Sequence, residues 1–252
     1  MNIELKKGEK IDIIPGSAFK IIQNRGRFSY GTDAILLSSF VKFKKNSKII
    51  DLGTGTGIIP LFLCSRYEIN KAYGIEIQEE VAEMAKRSVK LNGLEEKIEI
   101  LNMDLKDLPN TFKHGEFHVV TSNPPYMVGG GGLVNTDDNF KISRHEIACN
   151  LEDVVRVASY LLREGGKFFL VHRPSRLVDI IWILRKYRLE PKSIRFVHPK
   201  IGKAPNILLL MSMKGGKQEL KFQDPLYVYG EDGKYTDEIY KLYGMDVKEK
   251  DE

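Results

Sequence analysis

The sequence predicts an α/β fold: a mostly parallel sheet of seven strands, the last antiparallel, with helices on both faces. Three observations predict it. Strand-like and helix-like segments alternate from Lys48 to Tyr187, the rhythm of a layered sheet with crossover helices. A glycine cluster, Gly53, Gly55 and Gly57, stands between the first strand and the first helix of that rhythm. Two closing segments, Ile194–Val197 and Ile207–Met213, read as a terminal antiparallel pair.

The elements follow in order. Lys48–Leu52 is a short apolar strand, and Ile58–Tyr67 a helix. Ala72–Ile77 is the second strand, with Glu76 at its end. The next helix shows its buried stripe at Val81, Met84, Ala85, Ser88 and Leu91, and Gly93 stands where a helix stop belongs. Lys97–Leu101 and Phe117–Ser122 are the third and fourth strands. Leu151–Leu162 is helical, closed by Gly165-Gly166, and Lys167–His172 is the fifth strand, followed by a helix over Val178–Tyr187. Ahead of the sheet, residues 1–41 form an extension expected to pack on it, with short strands near Asp12–Ile14 and Phe19–Gln23 and a helix Ala34–Phe40 capped by Asp33. Residues 42–247 make the main domain, and 248–252, all charged, a frayed tail.

Composition narrows the class. The chain has 252 residues, 42% hydrophobic and 29% charged, enough apolar material for one large core. No apolar run is long enough for a spanning helix, and no secretory signal pattern opens the chain. The two cysteines, Cys64 and Cys149, lie far apart, so a reduced, cytoplasmic protein is expected. His172 and His198 show no ligand spacing, and no metal is expected. A net charge of +5 permits phosphate binding and fits a lysine-rich surface equally well.

The glycine loop, Asp51-Leu52-Gly53-Thr54-Gly55-Thr56-Gly57, follows a strand and opens a helix. Glycines there let a ligand approach the backbone. Glu76, 23 residues after Gly53, ends the next strand, where a carboxylate can accept two hydrogen bonds from a ribose diol. Asp104 follows the third strand, within reach of an adenine edge. The spacing is G-x-G-x-G, and Asp51 just before it would repel a pyrophosphate. It suits the ammonium of S-adenosylmethionine instead; a turn-capping carboxylate is the other reading of Asp51.

Asn123-Pro124-Pro125-Tyr126 ends the fourth strand. Two prolines forbid a continued strand or helix, so the chain turns there. A conjugated amine is a poor nucleophile because its lone pair is delocalised. The Asn123 side-chain carbonyl and the Pro124 backbone carbonyl can accept both of its N–H hydrogens and aim the lone pair at a methyl group. Tyr126 offers a face for an unpaired base. The stretch Tyr126–Ile147, with Gly129–Gly132 in it, is long for a plain connection and expected to serve function.

Together these two motifs resemble the class I amino-methyltransferases, with a Rossmann-like sheet and S-adenosylmethionine as cofactor. Two branches carry the pair: N6-adenine methyltransferases and the N5-glutamine methyltransferases of release factors. Phe28–Leu37, Ser143-Arg144-His145-Glu146 and Tyr235-Thr236-Asp237-Glu238 are similar to the bacterial tRNA1(Val) adenine-37 N6-methyltransferases. The resemblance implies a tRNA partner, catalysis at Asn123, Pro124, Pro125 and Tyr126, and Thr32 and Asp33 near the cofactor's methionine end. Asp51, Gly53, Gly55, Gly57, Glu76, Ile77, Asp104 and Asn123 complete the expected cofactor site. Arg144 and His145 would meet the RNA backbone or pair with a helix acid, and Arg173, Arg176, Lys200 and Lys203 would bind phosphates or stand as surface charge. Modification of rRNA amino groups, a non-catalytic RNA-binding protein and a nicotinamide oxidoreductase are the further alternatives.

Overall fold

The computed structural model describes residues 4–24, 29–124 and 150–245. Strands β1 (Lys10–Ile13) and β2 (Lys20–Gln23) lead to helix α1 (Thr32–Phe40). The sheet then starts with β3 (Ser47–Leu52), α2 (Ile58–Arg66), β4 (Ile69–Glu76), α3 (Glu79–Leu91) and β5 (Ile98–Asn102). A 3₁₀ turn (Leu105–Asp107) runs into the short α4 (Leu108–Thr111), and β6 (Phe117–Ser122) follows. After residue 149 come α5 (Leu151–Leu161), β7 (Leu162–His172), α6 (Leu177–Lys186), β8 (Leu189–Lys200) and β9 (Ile207–Lys214). The chain ends with β10 (Lys221–Phe222), β11 (Leu226–Tyr229) and α7 (Asp237–Tyr243).

The strand order is β10-β8-β9-β7-β6-β3-β4-β5, with β11 also paired to β8. Every pairing in this sheet is parallel except those of β9, which runs antiparallel to both β7 and β8. The chain starts at β3, winds out through β4 to β5, and returns to β6 on the other side of β3. A crevice therefore opens at the carboxyl ends of β3 and β6, the switch point where ligands bind in such sheets.

Period-two alternation fills both faces. Ile49, Val119, Phe169 and Leu209 point to a core closed by α1, α2 and α3. Ile50, Val120, Phe168 and Leu210 point to the opposite core, closed by α5 and α6. Each such side chain, fully buried, stabilises the fold by roughly 1.5–3 kcal/mol. A one-residue slip of any strand would exchange the two sets.

Helix ends follow local chemistry. Gly93, at φ 64°, ends α3: its N–H donates to the Lys90 carbonyl and that of Leu94 to the Val89 carbonyl. In α3, Leu91 is only half-buried and Val89 takes the core position. Asn150 and Asp153 form a reciprocal capping box at the start of α5. The segment ahead of the sheet is tied to α3. The Ile22 N–H donates to the buried Ser88 hydroxyl at 2.9 Å, Asn92 exchanges two hydrogen bonds with Lys20, and Arg87 forks onto Glu9 at 2.6 and 2.7 Å.

Three expectations are corrected. The sheet has nine strands rather than seven, because β10 and β11 add to β8 beyond the predicted antiparallel pair. Helix α1 starts at Thr32 with Gly31 as its N-cap, so Asp33 lies in the first turn instead of capping it. Gly165 and Gly166 do not close α5: the chain is extended from Leu162, which pairs with Phe117, and the glycines sit in an irregularity of β7. No helix among the described residues is long and apolar enough to cross a membrane.

Candidate active site

The glycine loop is held at a conformation only glycine adopts readily. Gly53, Gly55 and Gly57 have φ of 73°, 56° and 84°. A Cβ on Gly53 or Gly55 would meet nothing within 4 Å, so the loop backbone faces open space. The loop is pinned from below. The N–H groups of Gly53 and Thr54 donate to the Ile75 carbonyl at 3.0 and 2.8 Å, and the Gly55 N–H donates to Glu76 Oε2 at 3.0 Å. The other Glu76 oxygen accepts from the Gln78 N–H at 2.9 Å. Each oxygen retains acceptor capacity for a hydroxyl.

Asp51 lies beneath this loop, fully buried, and is not part of either cavity wall described below. Its Oδ1 accepts from the Thr121 hydroxyl at 2.6 Å, while Oδ2 has no hydrogen-bond partner. Burial pushes its pKa up to about 6; the Thr121 and Thr54 hydroxyls act against this and the Glu76 charge adds to it.

Two cavities flank the loop. One, of about 400 Å³, runs from Glu76, Ile77 and Asp104 past Ser122, Asn123 and Pro124 to His172 and Arg176. The other, of about 250 Å³, lies between the loop, Gln78 and the Tyr30–Gly31 lead-in to α1. Gly53, Gln78 and Asn123 belong to both walls. Asn123 reaches this junction because β6 pairs with β3 in register, Ser122 opposite Leu52, and the Ser122 hydroxyl donates to the Leu52 carbonyl at 2.9 Å.

Of the predicted site residues, Gly53, Gly55, Glu76, Ile77, Asp104, Asn123 and Pro124 line these cavities. Gly57 serves as the N-cap of α2. Asp104 accepts from the Lys106 N–H at 2.9 Å and pairs with the Lys106 ammonium at 3.2 Å. Thr32 and Asp33 are on neither wall; Thr32 is exposed and interacts with Tyr243 of α7. Pro125, Tyr126, the Gly129–Gly132 stretch, Arg144, His145 and Cys149 lie outside the described residues. Among the described residues no group of three or more His, Cys, Asp or Glu could hold a metal.

Gln78 and His172 line these walls without having been expected there, and of the Phe28–Leu37 segment it is Tyr30 and Gly31, rather than Thr32 and Asp33, that reach a wall. His172 is buried at the carboxyl end of β7, and its Nδ1 accepts from the Arg173 N–H at 2.8 Å. Burial, with the charge of Arg176 beside it, lowers its pKa to about 4, so the ring is neutral near pH 7. Its place at a strand's carboxyl end was the available signal.

The arrangement fits S-adenosylmethionine. The glycine cradle is open, and the Glu76 carboxylate, Asp104 and apolar residues follow along the wall. Glu76 would hold ribose hydroxyls, Asp104 and Ile77 the adenine, and the glycine loop the methionine end.

Comparison with known proteins agrees. The methyltransferase small domain family matches residues 19–181. A tRNA1(Val) (adenine(37)-N6)-methyltransferase of Tolumonas auensis is 30% identical over 234 residues, 89% of this chain and 92% of its own. The protein of that name in Porphyromonas gingivalis is 28% identical, over 92% of this chain and 93% of its own. Among solved structures, a predicted O-methyltransferase of Agrobacterium tumefaciens superimposes with a TM-score of 0.69 at 26% identity, covering 84% of this chain and 95% of its own. The chain belongs to the methyltransferase small domain family, with a Rossmann-like class I methyltransferase fold and S-adenosylmethionine as its cofactor.

Proposed function

We propose that this protein transfers a methyl group from S-adenosylmethionine to N6 of an adenine in tRNA, adenine 37 of tRNA1(Val). The observation that carries the reading is Asn123, at the carboxyl end of β6 and on the shared wall of both cavities. The relatives named for this reaction match nearly end to end and supply the substrate class. The N-terminal 1–41 segment is an extension of a methyltransferase domain spanning 42–247, and the protein works where tRNA is modified, in the cytoplasm.

The bound cofactor supplies an electrophilic methyl group on a sulfonium. The chain's own residues supply position. The Asn123 side-chain carbonyl and the Pro124 backbone carbonyl accept the two N–H hydrogens of the amine, which turns the lone pair toward the methyl carbon. Proline stiffness keeps these acceptors in place before the substrate arrives. In this reading Pro125 and Tyr126 also belong to the catalytic set, Tyr126 stacking on the target base. Neutral His172 and Pro124 line the same cavity and limit water near the reacting groups.

The test is incubation with labelled S-adenosylmethionine and unmodified tRNA, digestion to nucleosides, and chromatography. Labelled N6-methyladenosine is expected. Asn123→Ala should lower kcat by about 10²-fold or more, the scale of losing a positioned polar group, and still bind S-adenosylhomocysteine. Label entering a release-factor glutamine or an rRNA amino group, with none in tRNA, would overturn the substrate assignment.

A further inference from the structure

The β8–β9 hairpin stands well above the rest of the carboxyl edge. Register sets its height. Ser122 is level with Leu170, Leu170 with Leu210, and Leu210 with Ile194. Asn123 is therefore level with Arg195, and Lys200 at the end of β8 lies five residues further in the same strand direction. At the rise of a strand this is about 17 Å along β8 beyond the level of Asn123, in a direction that the twist of the sheet turns away from that of β6. Laterally β8 is three strand positions from β6, about 14 Å away. The hairpin thus projects from the same edge of the sheet as the cavity, as a wall to one side of it, and His172, Arg173 and Arg176 follow the end of β7 between them.

The wall is built and basic. Its tip is braced by Lys203 N–H to the Lys200 carbonyl at 3.1 Å, by Asn206 N–H to the Val197 carbonyl at 3.0 Å, and by His198 Nδ1 and the Lys203 carbonyl at 2.7 Å. The Arg173 guanidinium donates to the Asn206 carbonyl at 3.1 Å, joining floor to tip. Lys200 and Lys203 are exposed, and neither forms an ion pair within 4.0 Å among the described residues. Ile201 between them is 61% exposed.

An aromatic platform adjoins the tip. Tyr229, at the end of β11, pairs with Lys200 in register. Its ring stacks on Tyr235 at 5.2 Å and 18°, and Tyr235 stacks on Tyr243 at 6.0 Å and 13°. Tyr229 remains 41% exposed at the outer end of this stack. A ring held by a stack behind it loses little freedom when another planar group settles on it. Glu231 and Asp232 follow Tyr229 and bound the patch, so a polyanion is steered to the lysine side.

We propose that this wall binds the RNA substrate: Lys200 and Lys203 hold phosphates, and Tyr229 takes the face of an unpaired base while the target adenine enters the cavity at Asn123. Cation-lined backbone contacts beside an aromatic face are the general means of holding single-stranded nucleic acid. The proposal rests on the RNA reading above and adds where the RNA lies.

The test measures tRNA binding by fluorescence anisotropy over a salt series, with S-adenosylhomocysteine binding by calorimetry on the same preparations. Lys200→Gln with Lys203→Gln should weaken tRNA binding at least tenfold at 0.1 M salt and flatten the log–log salt slope by about 1.5, the loss of two phosphate contacts. Tyr229→Ala should weaken binding about tenfold with the slope unchanged, and Tyr229→Phe should bind as the unaltered protein does. All variants should bind S-adenosylhomocysteine normally. If the unaltered protein binds tRNA and the lysine and Tyr229→Ala variants match it in affinity and slope, the wall is wrong while the RNA reading stands. If the unaltered protein binds S-adenosylhomocysteine but no tRNA, the RNA reading fails and the wall with it.

Discussion

Asp51 and His172 are buried titratable groups whose proton linkages oppose each other in one pH window. Asp51 has its pKa raised from 3.8 to about 6 in the fold, mainly by burial, so the folded state holds its proton more tightly than the unfolded chain. Stability attributable to Asp51 is intact below pH 4 and falls as pH rises through 6. The shift corresponds to about 3 kcal/mol. His172 has its pKa lowered from 6.5 to about 4, so the unfolded chain holds its proton more tightly. Its contribution is intact above pH 6.5 and is lost as pH falls toward 4, again by about 3 kcal/mol. Between pH 4 and 6.5 the two nearly cancel.

The perturbations are Asp51→Asn and His172→Gln, each removing one titration while keeping size and polarity. Urea denaturation at several pH values from 4.5 to 7.5 gives the stability of each protein. The difference between each variant and the parent removes the other titrations, including those of Glu9, Glu83 and Glu116, whose lowered pKa values give the same sign as His172 and the opposite sign to Asp51. Relative to the parent, Asp51→Asn should gain stability as pH rises, and His172→Gln should lose it. Parallel pH curves for parent and either variant would falsify the assignment of that residue as a buried, shifted group.

Two further outcomes follow from the loop and its support. Gly74→Ala places a Cβ 2.7 Å from Ile100 Cδ1 and 2.9 Å from Thr54 Cγ2, so it overpacks β4 directly beneath the glycine loop. Roughly 1–3 kcal/mol of stability should be lost, with weaker S-adenosylhomocysteine binding; unchanged melting and binding would show that the loop yields freely. Glu76→Gln replaces one of two oxygens, each accepting a backbone N–H, with an NH₂ that cannot accept. Calorimetry should show S-adenosylhomocysteine affinity falling about tenfold or more, the scale of a charge-assisted hydrogen bond, and an unaltered affinity would remove Glu76 from the ribose site.

The features legible in the sequence are those that local backbone chemistry dictates. Gly53, Gly55 and Gly57 all take positive φ, and Gly93 terminates α3, its N–H donating to the Lys90 carbonyl while the Leu94 N–H donates to the Val89 carbonyl. Alternation in β3, β6 and β7 assigns neighbouring residues to opposite cores. What stayed hidden depends on partners far along the chain. β10 and β11 are short, partly exposed strands that exist because β8 offers an edge; their own pattern gives no alternation to read. Asp33 has the chemistry of a cap, yet α1 begins two residues earlier than the predicted Ala34, with Thr32 against Tyr243 from the other end of the sequence. Gly165-Gly166 has the look of a helix stop, but Leu162 is already drawn into pairing with Phe117.

The same dependence on register brings the glycine loop and the proposed acceptor, Asn123, together as a unit. Leu52 faces Ser122 across a single strand spacing, about 4.8 Å, so Gly53 and Asn123 emerge side by side. Two side-chain rungs hold that register, the Thr121 hydroxyl on Asp51 and the Ser122 hydroxyl on the Leu52 carbonyl. Both are buried, where an unmade hydrogen bond is costly. Displacement of β6 by one residue would break both rungs, send Val119 and Val120 to the wrong cores, and carry Asn123 off the shared wall of the two cavities. Alignment of an amine with a sulfonium methyl tolerates little displacement, since a shift of about 1 Å costs roughly 10²-fold in rate. The position of the proposed acceptor, Asn123, is therefore set by the packing of the whole sheet, and Pro124 adds only a fixed φ as the chain leaves β6.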